Sequence, residues 1–136
     1  RAASGDNMFL TGAAGVGKSF LLRYIIQELE RRHPGGVAVT APTGIAASHV
    51  QGVTIHSWAG IGLGKGSRDT LLQKVTNNGA ACDRWTKAKS LVIDEISMLD
   101  SYLLDVLDMV GRAVRGDASK AFGGLQLLFC GDFFQV

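Results

Sequence analysis

Apolar residues follow two rhythms along this chain. Four short runs are apolar almost without interruption: "NMFLTG" near the start, "VAVTAP" ending on Pro42, "SLVIDE" ending on two acids, and "LQLLFCGD" close to the end. Unbroken runs of this length, bounded by Gly, Pro or charge, predict strands buried on both faces. Between them the spacing changes to three and four. Leu21, Leu22, Ile25, Ile26 and Leu29 predict a helix over Lys18 to Arg32. Arg31, Arg32 and His33 suit its C-terminal dipole, and Pro34-Gly35-Gly36 stops it. Leu99, Leu103, Leu107, Val110 and Val114 predict a second long helix over Leu99 to Arg115, ended by Gly116. Shorter helices are expected over Ile45 to Val50 and over Asp69 to Asn78, the latter closed by Asn77-Asn78-Gly79. Gly52 to Ser67 reads as a glycine-rich loop, and Gly52 to Lys89 is the least regular part. Strands alternating with helices predict one α/β domain: a mainly parallel sheet with helices on both faces.

Composition narrows the class only a little. A chain of 136 residues with 46% apolar content can bury a real core. Lys and Arg total 14 against 12 acids, a net charge of +2 that names no nucleic-acid partner unless the charge is local. Cys82 and Cys130 fit no metal spacing, and Cys130 within "LQLLFC" reads as a small buried hydrophobe. No apolar run approaches membrane-spanning length. The start "RAASGDNMFL" and the abrupt end "GDFFQV" suggest a piece of a longer protein.

The first strand runs into "GAAGVGKS", which fits G-x-x-x-x-G-K-[ST] with a strand before it and a helix after it. Glycines at Gly12, Gly15 and Gly17 let backbone N–H groups point inward at a polyphosphate. The cradle runs through Gly12, Ala13, Ala14, Gly15, Val16, Gly17, Lys18, Ser19 and Phe20, and the helix dipole adds to it. Lys18 reaches the outer phosphates, and the Ser19 hydroxyl binds Mg²⁺. Asp94 and Glu95 follow a buried strand. There Asp94 suits the Mg²⁺ shell and Glu95 suits the general base that polarises water. Alone such a pair could be two solvated acids; beside a phosphate loop it favours an ATP hydrolase. Gln135, Trp58 and His56 read by themselves as an ordinary loop residue, a core aromatic and a structural histidine. The loops "TAPTG" and "TIHSWAG" carry hydroxyls and open backbone that would suit phosphate contacts on a single strand.

Taken together, "FLTGAAGVGKS", "TAPTGIAA", "TIHSWAGIGLG", "LVIDEISML" and "FGGLQLLFCGDFFQ" closely resemble the Pif-type DNA helicases, relatives of RecD in helicase superfamily one. The match runs from Phe9 to Gln135. The resemblance implies a RecA-like fold and the first of two motor domains in an ATP- and Mg²⁺-dependent, 5′-to-3′ motor on single-stranded DNA. It places the last strand between the phosphate-loop strand and the Asp94 strand, with Gln135 beside the γ-phosphate. It assigns Pro42, Thr43, Gly44, His56 and Ser57 to the DNA face; Lys65 joins these candidates only by its place just after that segment. It also implies an intracellular setting, nuclear or mitochondrial in a eukaryote. An upstream glutamine motif, a proline-rich continuation and the second RecA-like domain with its arginine fingers are not in the 136 residues. Since such a finger is worth ~10³ to 10⁵ in rate, the isolated piece is expected to bind nucleotide weakly, hydrolyse it slowly and unwind nothing. Two rivals stay open: a P-loop ATPase whose loops serve a protein partner, and a non-catalytic binding module. For Arg112 and Arg115, three apart on one helix face, a link between the ATP site and neighbouring domains or DNA and a solvated basic face stand level.

A second glycine-rich stretch, "GIGLGKGS" at Gly60 to Ser67, resembles a phosphate loop but fails it. Ala59 stands where the bracketing glycine belongs, Gly66 follows Lys65, and neither a strand before it nor a helix opening at Ser67 is expected. Either it is a loop at the DNA face, with Lys65 and Arg68 adding charge, or it is a bare connector.

Overall fold

The computed structural model describes residues 7–11 and 16–131, with side chains in the first helix described from Ser19 onward. In chain order the elements are β1 Met8–Thr11, α1 Val16–Arg32, β2 Val37–Ala41, α2 Gly44–His49, β3 Val53–Thr54, α3 Ile55–Ala59, α4 Arg68–Thr76, α5 Gly79–Lys87, β4 Ser90–Ile93, a 3₁₀ turn Ile96–Met98, α6 Ser101–Val114, a second 3₁₀ turn Ala121–Gly124 and β5 Gln126–Gly131. The strands form one sheet in the order β1-β5-β4-β2-β3, and every pairing is parallel.

The continuous apolar runs are explained by burial on both sides. Successive side chains of a strand point to opposite faces. Leu91 and Ile93 of β4, with Leu127 of β5, enter a core shared with α3, α4, α5 and α6. Val92 of β4, with Leu128 and Cys130 of β5, enters the opposite core against Leu22, Ile25 and Leu29 of α1. Cys130 is fully buried, as a small hydrophobe should be. Each such Leu or Val contributes ~1.5–3 kcal/mol relative to exposure.

Three sequence expectations need correction. The stretch from Gly52 to Lys89 is not irregular: it holds β3, α3, α4 and α5. Asn77-Asn78-Gly79 does close α4, but Asn78 also opens α5, its Oδ1 accepting from the Ala81 N–H at 3.1 Å. A stop signal and a start signal share one residue, so the helix behind them is easy to overlook. A helix likewise opens at Ser67, whose hydroxyl accepts from the Thr70 N–H and caps α4. The first half of the supposed loop, residues 53–59, is a two-residue strand and a five-residue helix, both too short to show a period.

Within this chain Arg112 and Arg115 make ties that neither sequence reading included. The Arg112 Nε donates to both Asp108 carboxylate oxygens, and its Nη1 donates to the Ala118 carbonyl at 2.6 Å. Asp108 Oδ1 also accepts the Phe122 N–H at 2.7 Å. Arg115 donates to the carbonyls of Gly123, Trp85 and Ala88. Burial pulls its guanidinium below the ordinary arginine range, yet five fixed donors suit it to tie α5 and the second 3₁₀ turn to the end of α6. These arginines are internal ties, and a helical period cannot distinguish them from a surface pair.

Gly111 shows where α6 must come close to that turn. A Cβ there would lie 2.8 Å from the Phe122 carbonyl carbon and 2.9 Å from its Cα. Alanine favours a helix over glycine by only ~0.5–1 kcal/mol, whereas crowding a packed backbone costs ~1–3 kcal/mol. Gly111→Ala is therefore expected to destabilise the protein, read as a lower urea midpoint. An unchanged or raised midpoint would mean that the turn yields freely.

Candidate functional site

In a parallel sheet all strands end at one edge, and side chains placed just past those ends share a crevice. β4 ends at Ile93, so Asp94 and Glu95 stand at that edge. Their position is fixed from β2: the Asp94 N–H donates to the Thr40 carbonyl at 2.9 Å, and the buried Thr40 hydroxyl donates to the Val92 carbonyl at 2.8 Å. Glu95 has φ 52° and ψ 43°, the left-handed region that a non-glycine residue rarely occupies. Such strain costs ~1–3 kcal/mol and concentrates at working sites. Among the described residues, neither carboxylate is engaged in a side-chain hydrogen bond or an ion pair, although Asp94 is only 9% exposed.

A cavity of about 480 Å³ lies against this edge. Ser19 at the start of α1 lines it together with Asp94 and Glu95, so the fold brings together residues 75 and 76 positions apart by subtraction of their numbers. Arg23 and Gln27 of α1, His49 at the end of α2 and Gln51 just after it supply further polar lining. None of these four was singled out from the sequence, because a cavity wall has no linear signature. The hydroxyl and carboxylate oxygens of Ser19 and Asp94 form a hard donor set of the kind Mg²⁺ takes. Gly12, Ala13, Ala14, Gly15 and Gln135, and the side chains of Val16, Gly17 and Lys18, lie outside the described residues. Phe20 is described and 73% exposed. β5 does lie between β1 and β4, pairing with both.

The same edge carries the second group of candidates. Ala41 of β2 pairs with Thr54 of β3, so the segments after them are neighbours. Thr43 caps α2, its Oγ1 accepting from the Ala46 N–H at 3.1 Å; Thr54 caps α3 the same way through Ser57. Each hydroxyl keeps its own proton to donate. Thr43, Gly44, Ser57 and Lys65 are exposed, and Pro42 and His56 are half-buried.

α5 holds α3 in place. Arg84 donates to the Trp58 and Ser57 carbonyls, and the Trp85 Nε1–H donates to the Ala59 carbonyl at 3.1 Å. The two indoles meet with centroids 4.7 Å apart. Trp58 is thus a core residue and presents no stacking platform. The spacing of Ala81, Trp85 and Ala88, all buried, is the signal that could have located α5.

The stretch "GIGLGKGS" is an ordered turn system. Gly60, Gly62, Gly64 and Gly66 all have positive φ, at 82°, 60°, 75° and 119°. Gly60 ends α3 in the left-handed conformation, where a Cβ would also strike Ala81 at 2.6 Å. The glycines answer to backbone geometry. Ile61, between Gly60 and Gly62, is fully buried and anchors the start of the stretch in the core.

An all-parallel sheet with helices on both faces, with β1 leading to α1 and an acid pair after β4 at one edge, is the RecA-like class of α/β domain. The chain belongs to the PIF1-like helicase family, whose family model matches residues 1–136. It is 53% identical over 136 residues to the ATP-dependent DNA helicase PIF1 of Saccharomyces cerevisiae (strain YJM789), covering 99% of this chain and 16% of that protein. The crystal structure of Pif1 helicase from Candida albicans superposes with a TM-score of 0.92 at 49% identity, over 98% of this chain and 30% of that one. A Bacteroides Pif1 helicase solved in complex with ADP-AlF3 and ssDNA gives 0.75 at 35% identity, over 97% of this chain and 29% of that one. The chain thus spans well under a third of each of these relatives.

Proposed function

We propose that this chain is the first motor domain of an ATP-dependent, 5′-to-3′ DNA helicase, acting with a second RecA-like domain elsewhere in the parent protein. The observation that carries this reading is the convergence of Ser19, Asp94 and Glu95 on one cavity at the carboxyl edge of the sheet, in a chain of this family. Backbone N–H groups of Gly12 to Phe20 cradle the phosphates and Lys18 neutralises the outer ones. Ser19 and Asp94 would hold Mg²⁺, which when bound would supply charge compensation at the phosphates. Glu95 accepts a proton from the attacking water. Gln135 senses the γ-phosphate. Pro42, Thr43, Gly44, His56, Ser57 and Lys65 face the single strand, the exposed hydroxyls and the lysine meeting its phosphates. Isolated from its partner domain, the chain does not unwind DNA, because translocation needs two domains closing on ATP.

The test is ATP turnover by the full-length protein with and without a single-stranded oligonucleotide. Stimulation by the strand is expected; its absence would point to an ATPase that serves another partner. Within the DNA face, Lys65→Ala is expected to weaken single-strand binding and to lower the slope of log affinity against log salt by about 0.7, the value for one phosphate contact on a single strand. Nucleotide affinity should stay as it was. A drop in nucleotide affinity with DNA binding intact would reverse the assignment of this loop.

A further inference from the structure

Tyr102 stands in the first turn of α6, the helix that follows the acid pair after one 3₁₀ turn. Its hydroxyl donates to the Gly66 carbonyl at 2.6 Å, across 36 residues of sequence. Its ring is 5.9 Å from the Arg68 guanidinium carbon, and Arg68 in turn reaches Asp105 of α6 at 3.6 Å. The next residue, Leu103, meets the same loop: a Cβ on Gly64 would lie 3.3 Å from Leu103 Cδ1 and 3.3 Å from His56 Cδ2. The N-terminus of α6 therefore grips the loop at two glycines, on either side of Lys65.

Tyr102 does not need this bond. Tyr102 is 38% exposed, so water could satisfy its hydroxyl. The loop has the opposite problem. Four glycines with positive φ between Gly60 and Gly66 leave its unbound backbone more conformations than other residues would. A lysine on such a loop meets a phosphate only after that freedom is lost, and a prior anchor removes part of the cost from binding. Lys65 itself is exposed, so what the anchor fixes is the backbone from which its ammonium reaches.

We propose that Tyr102 is a positioning residue for DNA binding: its hydrogen bond to Gly66 holds the Lys65 loop in its strand-binding form. The proposal rests on the reading of that loop as part of the DNA face.

The experiment is a double-mutant cycle in the full-length protein, using fluorescence anisotropy with a labelled oligo-dT and a separate titration with a fluorescent ATP analogue. Tyr102→Phe keeps the ring over Arg68 and removes only the hydroxyl. It is expected to weaken oligo-dT binding about two- to tenfold, the worth of one hydrogen bond, with ATP-analogue affinity and thermal midpoint retained. In the Lys65→Ala background the same change should cost nothing further, since the residue it positions is gone. If Lys65→Ala weakens DNA binding while Tyr102→Phe does not, or if the two effects simply add, the positioning role is wrong and the DNA face stands. If Tyr102→Phe lowers ATP-analogue affinity or the midpoint equally, the bond is only structural. If neither variant affects oligo-dT binding, the loop is not at the DNA face and both readings fall.

Discussion

Replacing Glu95 with glutamine in the full-length protein is expected to lower single-strand-stimulated ATP turnover by roughly 10² to 10⁴, the usual worth of a positioned general base. That is about 3 to 5 kcal/mol of activation barrier. Glutamine matches glutamate in size, so nucleotide binding should survive. The expected result is thus a fall in kcat with affinity for a non-hydrolysable analogue retained, the pattern of an interaction used only in the transition state. Asp94→Asn should behave differently: it removes a charge from the proposed metal shell, so nucleotide affinity in Mg²⁺ falls together with turnover. Glu95 is the better probe because its side chain, at the cavity wall, makes no hydrogen bond or ion pair among the described residues, while its carbonyl, which accepts the Met98 N–H at 3.0 Å, is untouched by the change. Wild-type turnover by the Glu95→Gln variant would remove it from the mechanism.

The second large effect is on stability. Trp85 is fully buried, packs at a tilt against Trp58 and donates its indole N–H to the Ala59 carbonyl. Trp85→Ala is expected to cost ~3–5 kcal/mol through lost transfer energy and the cavity left behind. Against a total stability of ~5–15 kcal/mol that is a large share. The measurement is urea unfolding at unchanged slope, so that a lower midpoint reports stability alone. Trp85→Phe, which keeps apolar volume but leaves the Ala59 carbonyl without its donor, should cost less, ~1–3 kcal/mol. The damage should also be directional. α3 carries His56 and Ser57 and rests on Trp85, whereas the Asp94 position is held by Thr40 and β2. Single-strand binding is therefore expected to suffer before nucleotide binding does. A Trp85→Ala protein with the wild-type midpoint would show that the two-tryptophan contact is dispensable.

Much of this molecule can be read without coordinates. The long helices and four of the five strands follow from apolar spacing, because a helix of four turns or a doubly buried strand imprints its period on many residues. The phosphate loop, the acid pair and the family resemblance are equally local, since backbone geometry at a strand-to-helix turn demands particular residues in a fixed order. What the chain alone leaves open is pairing across distance. That β5 separates β1 from β4 was available only through the resemblance, since residue spacing does not specify strand order. That Asn78 opens a helix, that Arg115 ties three carbonyls, and that Tyr102 reaches Gly66 depend on which surfaces meet after folding. The glycines of "GIGLGKGS" show both sides. Their failure as a second phosphate loop is written in Ala59 and Gly66. Their purpose, a run of left-handed turns held between α3 and α6, exists only in three dimensions, because positive φ and close packing are properties of a neighbourhood and not of a residue.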